Sequence, residues 1–338
     1  MGTISEVALS MARSAATVPD APPRSMTARP RALAGWLQSR DVPVRGRLTM
    51  TKMSTALTIV TWLVHDQARH RWILRERADT RGFAREVAVL DALRRDGLPV
   101  PDVVGYDDGC RGGSFVVTTC VDGSPLGDGT SHLSPIVGRS LVIQVIDLLA
   151  RLHDTPVIPA IPRFAAGHLD RQFASMTDLW LRSGSGGAHD SAWRAVRARL
   201  IQTRPRDEPR ATLVHGDFRL QNVLCGDGRV TGLLGWDRCT VGNPLSDLAW
   251  LVNSWAATPG DGVPDRYELV EIYRSRTSIA LGDLNFHRGM AHWISATLLQ
   301  AMETTRRTSG EHQHQPADVD LAIQHELISA AELLGRIR

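Results

Sequence analysis

Residues Leu213 to Cys225 read LVHGDFRLQNVLC, a polar loop between two apolar runs. Within this stretch Asp217 follows His215 by two residues and precedes Asn222 by five. Phosphoryl transfer to a hydroxyl group needs a carboxylate that accepts or orients the hydroxyl proton. It also needs an oxygen ligand that holds magnesium on the phosphates, and a carboxamide supplies one. The stretch therefore predicts a catalytic loop, with Asp217 and His215 as catalytic residues and Asn222 as a metal ligand.

A His-x-Asp-x-x-x-x-Asn pattern also arises by chance, and His215 has a second interpretation as a core histidine with satisfied hydrogen bonds. The surrounding order of elements favours the functional interpretation. A β-rich first third precedes the loop, and mainly helical segments lie on either side of it. Directly after the loop, Asp227-Gly228 separates two apolar runs, which is a strong β-hairpin signal.

Composition limits the class of protein. The chain has 338 residues, 43% of them hydrophobic, and a net charge of +3. Acidic and basic residues are mixed, and the only lysine is Lys52, so no charged patch predicts nucleic acid or a membrane surface as a partner. No apolar run reaches the roughly 18 residues of a membrane helix. The four cysteines form no CxxC pair, which favours buried thiols in a cytoplasmic protein over a zinc site.

The two ends of the chain carry weaker signals. Residues 1–30 are rich in Ala, Pro, Ser and Arg and are predicted to be a disordered tail, with Met11 and Met26 as alternative starts to Met1. Near the other end, His312 and His314 lie in a polar segment, for which a solvated loop is favoured over a metal site.

The first third predicts a helix, two strands, a second helix and a further strand. The expected ranges are Arg31–Gln38 (helix), Ala56–Val64 and Trp72–Arg75 (strands), Phe83–Leu93 (helix, N-capped by Thr80) and Ser114–Thr119 (strand). Gly97 and Pro99 should end the second helix. After residue 122 the pattern is mostly helical: Leu141–His153, much of 156–209 with a break at 183–187, and Tyr267 to the end apart from a loop at 308–316.

With this loop and this order of elements, the chain resembles the aminoglycoside phosphotransferase and choline kinase superfamily. It is most similar to the kinase-like domains that occur free-standing in actinobacteria and fused to acyl-CoA dehydrogenases. The matching stretches are Trp72–Arg75, Phe83–Leu93, Leu98–Pro101, Phe115–Gly123, Leu148–His153, Leu213–Leu224 and Gly242–Trp250. The resemblance implies an α+β, bilobal protein-kinase-like fold. A small antiparallel-sheet N-lobe would span residues 31–121 and a larger, mostly helical C-lobe residues 122–338, with ATP and Mg²⁺ as cofactors.

The resemblance also implies individual roles. Arg75 would replace the phosphate-binding lysine of the third strand, with Glu86 as its helix partner. The segment from Thr119 to Val121 would form a hinge against adenine. Asp247 would support the catalytic loop from behind.

The sequence departs from the family at the metal site. The family places a second metal-binding Asp seven residues before the glycine that corresponds to Gly242, and here that position is Gly235. Asp237 could replace it, although along a strand it would lie about 7 Å further on. Losing a direct metal ligand should cost several kcal/mol of transition-state stabilisation.

A second departure concerns the loop that covers the phosphates. Residues 48–57 contain no glycine, although such loops use glycines so that backbone N–H groups can approach phosphate oxygens. Lys52 and Ser54 are the candidate replacements, and a solvated loop position is the alternative for Lys52. A third, smaller change is Asn243, where the family has Asp.

Two hypotheses stay open. The first is an ATP-dependent small-molecule kinase with a degenerate metal site. The second is a repurposed kinase fold, either a binding protein or an acid–base enzyme such as a lyase or cyclase that uses Asp217. A His-dependent hydrolase is disfavoured, because no Gly-x-Ser-x-Gly motif is present. The sequence predicts a neutral, apolar or anionic acceptor. In the segments expected to bind it, about 155–210 and 255–338, arginines are interleaved with acids, and four tryptophans occur: Trp180, Trp193, Trp255 and Trp293.

Overall fold

The computed structural model describes residues 30–77, 82–109, 113–128, 135–161, 167–205, 211–255, 264–309 and 316–336. Almost all of the predicted tail, and also Thr80, His312 and His314, lie outside these ranges. The chain divides into two compact units, with the division between Asp122 and Gly123.

The first unit is built on an antiparallel five-stranded sheet. Its strands are β1 (Thr49–Ala56), β2 (Ile59–His65), β3 (Arg71–Arg77), β4 (Val103–Asp107) and β5 (Ser114–Thr119). Their order in the sheet is β1-β2-β3-β5-β4. Trp72 and Leu74 alternate on one face of β3 and share a core with Leu33 and Leu37 of helix α1 (Pro30–Gln38). Period-two alternation in the strand and helical spacing in α1 are what bring these side chains together.

Helix α2 (Ala84–Arg95) packs beside this sheet. The predicted apolar face is confirmed, since Val87, Leu90 and Leu93 are buried. Its first turn has no local side-chain cap; instead the Asp108 carboxylate accepts hydrogen bonds from the backbone of Phe83 and Ala84, at 2.5 and 3.2 Å. A residue remote in sequence therefore satisfies donors that helix starts normally leave to an N-cap residue.

The expectation of a loop at residues 48–57 is wrong. Most of this segment is β1, and the connection to β2 is a turn at Leu57 and Thr58, with Leu57 at a φ of 52°. Lys52 and Ser54 therefore lie within a strand, flanking an irregularity in the pairing with β2. β-Branched and Thr-rich sequence favours a strand here even though it lacks strict alternation.

The second unit contains two small antiparallel sheets. One contains β6 (Ser124–Pro125), β8 (Val223–Gly226) and β9 (Arg229–Leu233), and the other pairs β7 (Thr212–Val214) with β10 (Thr240–Gly242). The hairpin predicted at Asp227-Gly228 is confirmed, with φ angles of 50° and 72°. Positive φ at both central residues is what a two-residue hairpin turn requires.

Helices form the rest of this unit. They are α3 (Pro135–Asp154), α4 (His168–Ser183), α5 (Asp190–Gln202), α6 (Leu245–Trp255), α7 (Arg266–Arg276), α8 (Leu284–Ser309) and α9 (Pro316–Gly335). The predicted break after Ser183 is confirmed, whereas the non-helical segment at 277–283 was not anticipated. Among the described helices, none has the length and apolar character needed to cross a membrane.

The tryptophans assigned to acceptor binding belong to the core. Trp180 and Trp193 stack with ring centroids 4.9 Å apart, and Trp293 lies 4.9 Å from Trp193. All three are fully buried, and Trp255 is also buried. The use of these four rings as evidence for an apolar acceptor was therefore wrong, because helix–helix packing accounts for them.

Candidate active site

The loop between β7 and β8 is held by its backbone. The buried Asp247 carboxylate accepts hydrogen bonds from the backbone nitrogens of His215, at 2.7 Å, and Gly216, at 2.8 Å. Gly216 has a φ of 84°, and a Cβ atom there would lie 2.7 Å from the carbonyl oxygen of Arg238. Glycine is therefore required at this position on two grounds, conformation and space.

Asp247 is itself supported by two side chains that the sequence did not single out. His153 of α3 lies 3.3 Å from the Asp247 carboxylate through Nε2, and its Nδ1 lies 2.7 Å from the hydroxyl of Tyr273 in α7. All three residues are buried. Asp247 also lies in the first turn of α6, where a negative charge is favourable. Tyr273, His153 and Asp247 thus form a buried chain of hydrogen bonds that ends on the loop backbone.

The loop presents Asp217, whose side chain is 14% exposed. The Asn222 amide nitrogen donates to the Asp217 carboxylate at 3.0 Å and to its backbone carbonyl at 2.8 Å. Arg219 approaches the same carboxylate with two nitrogens, Nε at 2.8 Å and Nη2 at 3.0 Å. The structure therefore brings Asp217 and Asn222 together and adds Arg219.

His215 is enclosed, with an exposure of 0%. Its Nε2 lies 2.8 Å from the carbonyl oxygen of Leu234, and its Nδ1 accepts a hydrogen bond from the Asp217 backbone at 3.2 Å. The ring packs edge-on against Trp236. Burial lowers the pKa of His215 despite the nearby carboxylates, so the imidazole is neutral. Both ring nitrogens are occupied, and this geometry fits a positioning residue better than the proton-transfer role assigned from the sequence.

Gly235 and Asp237 are not in a strand, contrary to the sequence-based expectation. Gly235 has a φ of 86° and directly precedes a short 3-10 turn over Trp236–Arg238. A Cβ atom at Gly235 would lie 2.9 Å from the Asn222 amide nitrogen, whereas Asp237 is exposed. The described residues include no group of three or more His, Cys, Asp or Glu side chains that could hold a metal ion. Because position 235 is glycine, this turn does not supply the Asp that the resemblance implies as the second magnesium ligand beside Asn222.

Two further residues near Asp217 were not predicted from the sequence to belong to the site. Arg219 and Arg238 both lie over the ring of Trp250 in α6, with guanidinium carbons 5.5 and 5.9 Å from its centroid. Burial lowers the pKa of Arg238, while the carboxylates of Asp217 and Asp237 oppose that shift. Arg219 is part of the predicted loop, two residues after Asp217. Its proximity to Arg238 follows only from the fold.

The departure at Asn243 has a structural reason. Its Oδ1 accepts from the backbone of Leu245 at 2.9 Å, and its Nδ2 lies 3.3 Å from Nε2 of buried His287. Burial lowers the pKa of His287 to about 3 and, with nearby Arg171, that of His168 to about 4. The side-chain amide of Asn243 can donate a hydrogen bond to a neutral His287. An ionised Asp at position 243 has no proton to donate and could not form this bond.

The remaining predicted site residues lie in the first unit. Arg75 on β3 forms an ion pair with Glu86 on α2, and the pair is mostly buried. Thr119, at the end of β5, donates from its backbone to the carbonyl of Asp102 at 2.9 Å and accepts at Oγ1 from the Asp102 amide at 3.0 Å. Val121 follows that strand and is half-buried.

Curated relatives match the chain in part. Acyl-CoA dehydrogenase family member 11 is 29% identical over 243 residues in Homo sapiens and 29% over 245 residues in Gallus gallus, covering 64% of this chain. Family member 10 of Mus musculus is 26% identical over 241 residues. The chain spans 30%, 31% and 22% of the length of these three relatives.

Solved structures match more of the chain. An assigned aminoglycoside phosphotransferase from Ralstonia eutropha has a TM-score of 0.71 at 22% identity, covering 91% of this chain and 98% of that one. A thermostable mutant of aminoglycoside phosphotransferase APH(4)-Ia, in ternary complex with AMP-PNP and hygromycin B, has a TM-score of 0.61 at 15% identity, covering 89% and 99%. At these identities the matches establish the α+β kinase-like fold.

A family model decides membership. The model described as "Phosphotransferase enzyme family" matches residues 59–277, more than half of the chain. That range contains β2 and β3, the loop that carries Asp217 and Asn222, and Asp247, which binds the backbone of this loop. The chain belongs to the phosphotransferase enzyme family.

Proposed function

We propose that this protein transfers a phosphoryl group from ATP to a hydroxyl group of a small molecule, with Asp217 as the catalytic base. The observation that carries the proposal is the arrangement around Asp217. Its loop is bound through the backbone by Asp247, and its carboxylate is oriented by Asn222 and Arg219. A carboxylate fixed in this way is ready to orient an attacking hydroxyl.

In this mechanism the Asp217 carboxylate accepts the proton of the acceptor hydroxyl while the hydroxyl oxygen attacks the γ-phosphorus of ATP. The bond between that phosphorus and the bridging oxygen breaks, and ADP leaves. Asn222 and Arg219 hold the carboxylate in one orientation. His215 remains neutral and supports the loop through Leu234 and the Asp217 amide. Arg75, in its ion pair with Glu86, is proposed for the nucleotide phosphates, and the backbone near Val121 for adenine; Lys52 and Ser54 on β1 are the further candidates.

The surroundings of Asp217 favour a neutral, apolar or anionic acceptor. Arg219 and Arg238 place two positive charges near the reacting carboxylate. A polycationic antibiotic would be repelled there, since like charges brought together in a partly dehydrated site cost free energy. Among the described cysteines, Cys120, Cys225 and Cys239 form no disulfide, and the cytoplasmic setting expected from the sequence stays a prediction.

One observation favours a second candidate, a binding protein that has kept the fold without the transfer reaction. Gly235 supplies no carboxylate, and the space next to Asn222 is too tight for a side chain at the present backbone geometry. An acid–base enzyme that uses Asp217 without ATP shares the same observation. Its proton shuttle would have to be a residue other than the enclosed His215.

Calorimetric titration of the full chain with ATP, with and without Mg²⁺, separates these functions. Saturable ATP binding is expected from a phosphotransferase, and no nucleotide binding under either condition would contradict the proposal. Asp217→Asn should lower phosphoryl transfer or ATP hydrolysis by roughly 100-fold or more. The matched control is Asp227→Asn in the exposed hairpin turn, which should retain full activity.

A further inference from the structure

Arg238 is a half-buried cation that has one buried, unused donor atom. Its Nη1 atom is buried and has no hydrogen-bond partner among the described residues. Its backbone packs against Gly216 of the catalytic loop. Buried polar groups are nearly always hydrogen-bonded, and a guanidinium group remains charged in a protein. An unused, charged donor beside the catalytic loop therefore calls for an anionic partner or water.

A second guanidinium lies next to it. The guanidinium carbons of Arg219 and Arg238 lie 5.5 and 5.9 Å from the centroid of the Trp250 ring, and Arg219 is in contact with Asp217. The indole ring provides an apolar surface for both planar cations. Guanidinium groups are planar and carry several N–H donors, so two of them beside one ring suit tetrahedral or planar anions.

The position of the missing ligand and Arg238 lie at the two ends of one short segment, since Gly235 directly precedes the 3-10 turn that ends at Arg238. Gly235 lacks the carboxylate that would attract a divalent cation, and Arg238 follows three residues later. A glycine in place of an acidic side chain at position 235 shifts the local charge towards positive, and Arg238 contributes a positive charge of its own. This charge balance favours the direct binding of an anion over its binding through a metal ion.

We propose that Arg238 and Arg219 form a phosphate-binding subsite beside Asp217, in which side-chain cations supply the positive charge that a metal ion held at position 235 would otherwise provide. This inference rests on the proposed function. It adds two ligands for the nucleotide phosphates that the family resemblance does not supply. A carboxylate group of the acceptor shares the same anionic chemistry and is the alternative occupant that the experiment distinguishes.

The test is calorimetric titration of the full chain with pyrophosphate in the presence of EDTA. Wild-type protein is expected to bind pyrophosphate without metal. Arg238→Met keeps the long apolar stem and should weaken the affinity roughly tenfold or more. Arg229→Met on β9 removes the same charge from an exposed position and should bind like wild type.

Three results would overturn the subsite. They are no binding of pyrophosphate to wild type, equal affinities for Arg238→Met and Arg229→Met, and acetate binding at least as tightly as phosphate, which would assign the pair to an acceptor carboxylate. If thermal unfolding shows that Arg238→Met does not fold, Arg238→Lys keeps the charge without the Nη1 donor. Its affinity should then fall below that of wild type, and an unchanged affinity would contradict the role of Nη1.

A separate ATP titration keeps the two proposals distinguishable. If wild type binds ATP but Arg238→Met binds pyrophosphate normally, the subsite is wrong and the phosphotransferase proposal stands. If wild type binds pyrophosphate through Arg238 but never binds ATP, the subsite stands and the phosphotransferase proposal fails.

Discussion

Gly235 lies directly against the side chain of Asn222: a Cβ atom added at Gly235 would be 2.9 Å from Asn222 Nδ2 and 3.1 Å from Oδ1. The family resemblance implies a carboxylate at this position that would share a metal ion with the carboxamide. Here the carboxamide nitrogen is directed to Asp217 instead. Because these two residues are so close, replacing Gly235 by Asp is expected to lower the stability of the folded protein.

The first prediction compares Gly235→Ala with Gly235→Asp. Both variants introduce a Cβ atom at a φ of 86°, so both should lower the free energy of unfolding by about 1–2 kcal/mol. Only Gly235→Asp adds a carboxylate next to Asn222, so Mg²⁺ should strengthen ATP binding in this variant more than in Gly235→Ala. Denaturant unfolding and Mg²⁺-dependent ATP titrations check the two parts. Identical Mg²⁺ responses in the two variants would show that the metal ligand is not restored.

Asp247 should matter for stability as well as for activity. Asp247→Asn would place an amide donor opposite the backbone N–H of His215 or Gly216, so the free energy of unfolding should fall by about 2–3 kcal/mol. The control is Asp265→Asn, because Asp265 is an exposed N-cap of α7 and asparagine caps equally well. Urea unfolding measures both variants. Equal stabilities would contradict the supporting role of Asp247.

Tyr273→Phe tests the outer end of the buried chain. The hydroxyl lies 2.7 Å from His153 Nδ1, so its removal leaves one imidazole nitrogen without a partner. The expected loss of unfolding free energy is about 1–2 kcal/mol. Tyr267→Phe removes an exposed hydroxyl from the same helix and should be neutral. A further fall in activity with an unchanged affinity for ATP would locate the effect in the catalytic loop rather than in nucleotide binding.

The histidines beside Asn243 predict a pH dependence of stability. Burial lowers the pKa of His287 to about 3, from an ordinary value of 6.5. The unfolded chain therefore binds a proton at this residue at a higher pH than the folded chain does. Its contribution to stability is complete above pH 6.5 and is lost as the pH falls towards the folded pKa, with a slope of about 1.4 kcal/mol per pH unit.

His287→Gln should remove this slope, so the difference in unfolding free energy between pH 6.5 and pH 5 should shrink relative to wild type. His325→Gln, which changes an exposed histidine of α9, should leave the difference as it is. Urea unfolding at the two pH values provides the measurement. A slope that is unchanged in His287→Gln would mean that His287 is protonated in the folded protein.

Local patterns predicted a large part of the fold. The apolar spacing of α2, the Asp-Gly turn and the strand at Ser114–Thr119 each depend on neighbours within a few residues, and each is confirmed. The strand β1 was missed because its alternation is weak and its pairing with β2 decides its conformation. The four tryptophans were misassigned because composition does not distinguish a core ring from one that lines a site.

The sequence alone determined much of the order of elements, the family resemblance and the loop that carries Asp217 and Asn222, because these rest on spacing and turn chemistry within short stretches of chain. Only the tertiary structure decided that His215 is enclosed, that Asp247 binds the loop backbone and that Arg238 joins Arg219 over Trp250. These relationships join residues from separate elements, some of them far apart along the chain. Their distances follow from packing, which no local pattern encodes.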